Sequence, residues 1–133
     1  MSSDMQIVVS QEEGPVPITL FHVKGEIGAH NYAQIQSQVS EAFDSGTRNL
    51  ILDLSEVTYM SSAGLRALHG IFKIMHPDTA DQELETGMAG GTTKSPHLKV
   101  VTPPPDILKV IKAVGFDVFL QIYDSREKAV ASF

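Results

Sequence analysis

Ser61 and Ser62 stand at a junction. Before them run an apolar stretch of strand length, Leu50-Ile51-Leu52-Asp53-Leu54, and a short polar link, Ser55 to Met60; after them Leu65, Leu68, Ile71, Phe72 and Met75 recur at helical spacing. The pattern predicts two hydroxyls at a helix N-terminus, where backbone N–H groups lack intrahelical partners and the helix dipole favours negative charge. A hydroxyl there can cap the helix, worth about 1 kcal/mol, or it can act as a nucleophile. One serine can cap while its neighbour stays exposed, and Ala63 offers no third hydroxyl. The nucleophile reading fits poorly. The elbow pattern G-x-S-x-G finds Gly64 after Ser62 but Met60 in place of the first glycine, where a strained turn needs a small residue. His69, His76 and His97 follow the serine with no carboxylate paired to any of them by pattern, so no catalytic residue is assigned.

Other chemistries fit less well. Asp53 invites comparison with a phospho-accepting aspartate at a strand end, but that site needs further acidic groups to hold a metal. The earlier strands end in Ser10 and Lys24-Gly25, so Asp53 reads as a turn or loop anchor. His69 and His76 are two helical turns apart, roughly 10 Å along the axis, too far to share one zinc. His22 and His30 fall on different elements, and all five histidines read as surface residues with no metal site. Gly87 to Gly91 lacks the strand–helix context and the Gly-Lys-Ser/Thr end of a phosphate loop. No cofactor is implied.

The elements that position the serines can be read in order. Met5–Ser10 and Val16–Val23 are β-rich runs joined by Gln11-Glu12-Glu13-Gly14-Pro15, a hairpin link. Lys24 to His30 leaves the sheet, and Asn31 with Gln34 has capping-box spacing for a helix running to about Phe43, stopped by Ser45-Gly46. Asn49–Leu54 is a third strand and Ser62 to about Met75 a second helix. Residues 77–96 lose periodicity and are longer than the ~12–15 residues common for loops; they are expected to form a flexible insertion, with a partner-recognition loop as the alternative. Leu98–Val101 is a fourth strand ended by Pro103-Pro104-Pro105. Asp106 to Val114 is a short amphipathic helix with Gly115 at its C′ position, Phe116–Ile122 a last strand, and Asp124 or Ser125 a cap for a terminal helix to about Ser132. The order β-β-α-β-α-β-α-β-α predicts an α/β domain with a mixed, mostly parallel sheet, an N-terminal hairpin and about four helices, spanning 1–133.

Composition bounds the function. Ten basic against sixteen acidic residues, a net charge of −6, argue against nucleic-acid binding. No apolar run approaches the ~20 residues of a membrane span, and no basic n-region precedes an apolar stretch at the N-terminus. With no cysteines, the reading is a cytoplasmic protein without membrane insertion.

The element order, Gly25-Glu26 after the second strand, and Asp53-Leu54-x-x-Val57-x-x-Met60-x-Ser62-x-Gly64-Leu65 together resemble the STAS (sulfate transporter and anti-sigma factor antagonist) domain. The resemblance implies a bacterial switch protein that is not an enzyme. In the stand-alone members a serine at the start of the second helix is phosphorylated by an anti-sigma factor that is itself a kinase, and a phosphatase resets it. The unphosphorylated form binds the kinase and frees the sigma factor. The motif carries that serine onto Ser62, and the partner-binding surface onto Ser61, Ser62, Gly64, Gly28 and His30. Members usually have Asp where this chain has Ser61, and often an acidic residue where it has Gly28. These departures keep an alternative open: an unphosphorylated STAS subunit of a signalling scaffold or of a membrane transport complex. Oligomeric state is not implied.

Overall fold

The computed structural model describes residues 5–75, 97–116 and 120–133. Its centre is a five-stranded sheet of β1 (Gln6–Glu13), β2 (Pro17–Ile27), β3 (Leu50–Met60), β4 (Leu98–Val101) and β5 (Gln121–Tyr123), lying side by side in that order. β1 is antiparallel to β2, and the remaining pairs are parallel. Four helices complete the described residues: α1 (Tyr32–Asp44), α2 (Ser62–Met75), α3 (Pro105–Ala113) and α4 (Arg126–Ala131). The expected element order and mixed sheet are both present. Strand alternation divides the core between two faces. Phe21, Val23, Leu50, Leu52 and Leu54 meet Ile35 and Val39 of α1, Leu68 and Ile71 of α2, and Ile107 and Ile111 of α3. Ile18, Leu20, Ile51 and Val101 face the other way and meet Ala129 of α4.

Several boundaries differ from expectation for one physical reason. β1 runs on to Glu13, β2 continues through Lys24-Gly25-Glu26 to Ile27, and β3 continues through its polar link to Met60. β1 is an edge strand, where charged side chains face water and blunt unwanted pairing. Beyond Asp53, β3 has lost β4 and among the described residues pairs only with β2, Lys24 opposite Glu56 and Glu26 opposite Tyr59. A two-stranded extension of this kind carries polar residues, with register shifts after His22 and Gly25 and a left-handed φ of 94° at Gly25. The last strand begins at Gln121 rather than Phe116, which lies ahead of it and packs against the core. α2, β4, Gly115 after α3 and the Ser125 cap of α4 stand where expected; Ser125 Oγ accepts the Lys128 N–H at 3.2 Å. The segment 77–96 lies outside the described residues.

Asp53 anchors both its own turn and α4. Its Oδ1 accepts the Ser55 N–H at 2.9 Å, and its Oδ2 receives Arg126 Nε at 2.6 Å. Burial pushes this carboxyl up, but hydrogen bonds from the Ser55 backbone and side chain, then the hydrogen bond and charge of Arg126, outweigh it and hold the group below the ordinary value. The folded pKa is depressed, so the stabilisation is present in full above the unfolded value of about 3.9 and is lost as pH falls through the lower folded value. Arg126 is half exposed, so its replacement by alanine is expected to cost only about 1 kcal/mol in urea unfolding at pH 7. That difference should disappear once the pH drops below the folded pKa of Asp53.

Candidate functional site

β2 and β3 end together, Ile27 beside Met60, at the tip of the two-stranded extension. The tip stands about 20 Å beyond the point where β4 stops. Ser61 continues the ladder by one bond, its N–H donating to the Ile27 carbonyl at 3.0 Å. It then turns the chain into α2: its Oγ accepts the Gly64 N–H at 3.3 Å, and its carbonyl accepts the Leu65 N–H at 3.0 Å. Ser61 is therefore the N-cap. Ser62, at the first helical position, is exposed, and among the described residues nothing hydrogen-bonds its hydroxyl.

The neighbouring loop is held by Asn31. Its Oδ1 accepts the Gly28 N–H at 2.9 Å and its Nδ2 donates to the Glu26 carbonyl at 2.9 Å, while the Gly28 carbonyl accepts the N–H groups of Asn31 and Tyr32. This corrects the capping box expected of Asn31 and Gln34. The Asn31 side chain makes no bond to α1, and only its carbonyl meets the Gln34 N–H. The amide is spent on two backbone groups that would otherwise go unsatisfied, a stronger demand than one exposed helix N–H. Asn31→Ala is expected to lower stability by about 1–2 kcal/mol in urea unfolding and to increase amide exchange at Gly28.

The residues assigned to the site in sequence fall into two sets. Ser62 and His30 are exposed and Ser61 is half-buried. Gly28 and Gly64 are buried, so they set the shape of the surface on which the exposed side chains stand. A Cβ on Gly28 would lie 3.6 Å from Ser61 Oγ and 3.5 Å from His30 Nδ1, which places these three residues together. A Cβ on Gly64 would meet Met60 Cγ at 2.6 Å and the Ile27 carbonyl at 2.9 Å, so α2 approaches the strand tip as closely as only glycine permits. Two exposed residues were missed. Tyr59, 56% exposed, precedes the junction by two residues, and Arg66 follows one turn into α2. Tyr59 read as part of a link because nothing in the sequence shows that the link is a strand with a free face. Among the described residues, the histidines are not all at the surface, where the sequence had placed them. His22 is half-buried, with Nδ1 3.0 Å from Arg126 and Nε2 2.7 Å from Glu56 Oε2, the latter without the alignment of a hydrogen bond. His69 stacks obliquely on Phe116, and His76 lies outside the described residues.

Residues 7–80, more than half of the chain, match the family model of the STAS domain. The chain belongs to the STAS domain family. Among sequence relatives, it is 25% identical over 111 residues to BtrV, a candidate anti-sigma factor antagonist of Bordetella bronchiseptica, covering 84% of this chain and 82% of that protein. An anti-sigma factor antagonist from Mycobacterium paratuberculosis has a similar structure, with a TM-score of 0.73 at 19% identity over 97% of this chain and 93% of that one. SpoIIAA in its phosphorylated form, a Bacillus cell fate determinant, superposes with a TM-score of 0.58 at 18% identity over 92% of this chain and 96% of that one. At these identities the structural likeness establishes the fold, and this STAS domain's site rests on its own geometry.

Proposed function

We propose that this STAS domain is an anti-sigma factor antagonist, a binding module without catalysis of its own that engages an anti-sigma factor kinase while Ser62 is unmodified. The observation that carries the reading is the division of labour at the junction. Ser61 is committed to the cap, which leaves Ser62 exposed and unengaged among the described residues, beside a Ser61 that lies with His30 around Gly28. A phosphate at the first helical position meets the positive end of the helix dipole, so the fold accommodates it. The same charge inside an interface opposes binding through desolvation and repulsion. The names of the relatives point the same way, and SpoIIAA exists in a phosphorylated form. The reading implies a cytoplasmic protein that acts as one domain over residues 1–133, with a kinase and an opposing phosphatase as partners. Incubation with the cognate kinase and ATP should add one phosphate to the native protein and none to Ser62→Ala, read by intact-mass spectrometry.

A second reading, an unphosphorylated STAS subunit of a scaffold or transport complex, draws on Gly28, which puts no acidic side chain at the position facing Ser61 Oγ. Affinity capture separates the two, because that subunit would bring down integral membrane proteins or scaffold components in place of a soluble kinase.

A further inference from the structure

α2 carries Arg66 and Lys73 but no Asp or Glu, in a protein whose net charge is −6. Arg66 is exposed and, among the described residues, makes no ion pair. It stands four residues after Ser62 on the same helix, so the two side chains are neighbours on one face, with the residue that would bear the negative charge on the N-terminal side. That is the favourable order for an anion–cation pair at this spacing. Gly64 and Leu65, between them, are buried and Ala63 has no polar group. No other side chain on this turn competes for an anion at Ser62.

We infer that Arg66 is the residue that receives the phosphate when Ser62 is modified. Guanidinium N–H groups pair with phosphate oxygens in charge-assisted hydrogen bonds. The modification then changes the surface twice, adding an anion at Ser62 and withdrawing a free cation at Arg66 from any carboxylate a partner presents. The second change would also survive where the phosphate itself is turned away from the partner. This inference rests on the reading of Ser62 as the modified residue, yet it can be tested without a kinase.

Phosphoserine is placed at position 62 of the full chain during translation, and its second ionisation is followed by phosphorus NMR. Arg66→Gln removes the proposed partner. His30→Gln removes the imidazole that lies beside Ser61 across Gly28, a rival hydrogen-bond partner for the phosphate. Lys73→Gln removes a cation roughly 16 Å along the helix axis. The phosphate should titrate about half a pH unit lower in the native background and with Lys73→Gln than with Arg66→Gln. The same titration with and without Arg66, or a change produced by His30→Gln in place of Arg66→Gln, would overturn the pairing. Failure of a kinase to modify Ser62 would remove the proposed function and leave this titration result standing on its own.

Discussion

Phosphorylated at Ser62, the protein is expected to bind its partner at least 100-fold more weakly than the unmodified form, measured by titration calorimetry, with unfolding midpoints close together. A hundredfold loss corresponds to about 2.7 kcal/mol, within the range for altering the charge of an interface. The small effect on folding follows from position. Ser62 is exposed at the first helical residue, the cap is supplied by Ser61, and the added charge lies at the favourable end of the dipole. Ser62→Ala should bind like the native protein, and Ser62→Asp should fall between, since it supplies one negative charge where the phosphate supplies nearly two. Equal affinities for the modified and unmodified forms would remove the switch.

Gly64→Val is expected to destabilise the fold by about 1–3 kcal/mol in urea unfolding. The new side chain would have to displace Met60 Cγ from 2.6 Å and the Ile27 carbonyl from 2.9 Å. Met60 can turn aside. The carbonyl cannot move freely, because it belongs to β2 and accepts the Ser61 N–H. Either the helix retreats and that bond is lost, costing about 1 kcal/mol, or the crowding is absorbed as about 1–3 kcal/mol of strain. Gly64→Ala should be milder, since the gain in helix propensity of about 1 kcal/mol offsets part of the clash. An amide exchange rate at Ser61 unchanged by valine would show that the contact between α2 and the strand tip is looser than described.

Much of this was legible because its signals were local. The apolar stripe of α2, the Ser-Ser opening, the glycine after α3 and the Ser125 cap each specify their own position. What misled was polarity without context. Lys24-Gly25-Glu26 and Ser55-Glu56-Val57-Thr58 each read alone as loops, yet they are partners in one extension of the sheet. Their pairing with each other satisfies the backbone and leaves the polar side chains in water. Strand pairing is non-local, and neither segment announces its partner. The Asn31 amide was misassigned for a related reason: its acceptor and donor targets, Gly28 N–H and Glu26 carbonyl, become candidates only once that loop is folded. Lys99 lies in Leu98–Val101, which the sequence shows as a strand without indicating where this side chain goes. The structure does bury it, with its ammonium donating to Ser132 Oγ at 2.6 Å and lying 4.2 Å from the centre of the Phe133 ring. At the site the serine was legible from its motif, whereas Tyr59 and Arg66 emerged only when exposure was known.

In the proposed switch one hydroxyl of the pair caps and the other is modified. Phosphopeptide mapping of the protein isolated from the cells that make it tests this most directly. A single phosphate is expected, on Ser62, with Ser61 unmodified because its hydroxyl is held against Gly64. A phosphate on Ser61, or a Ser62 peptide that stays unmodified while the partner kinase is active, would contradict it.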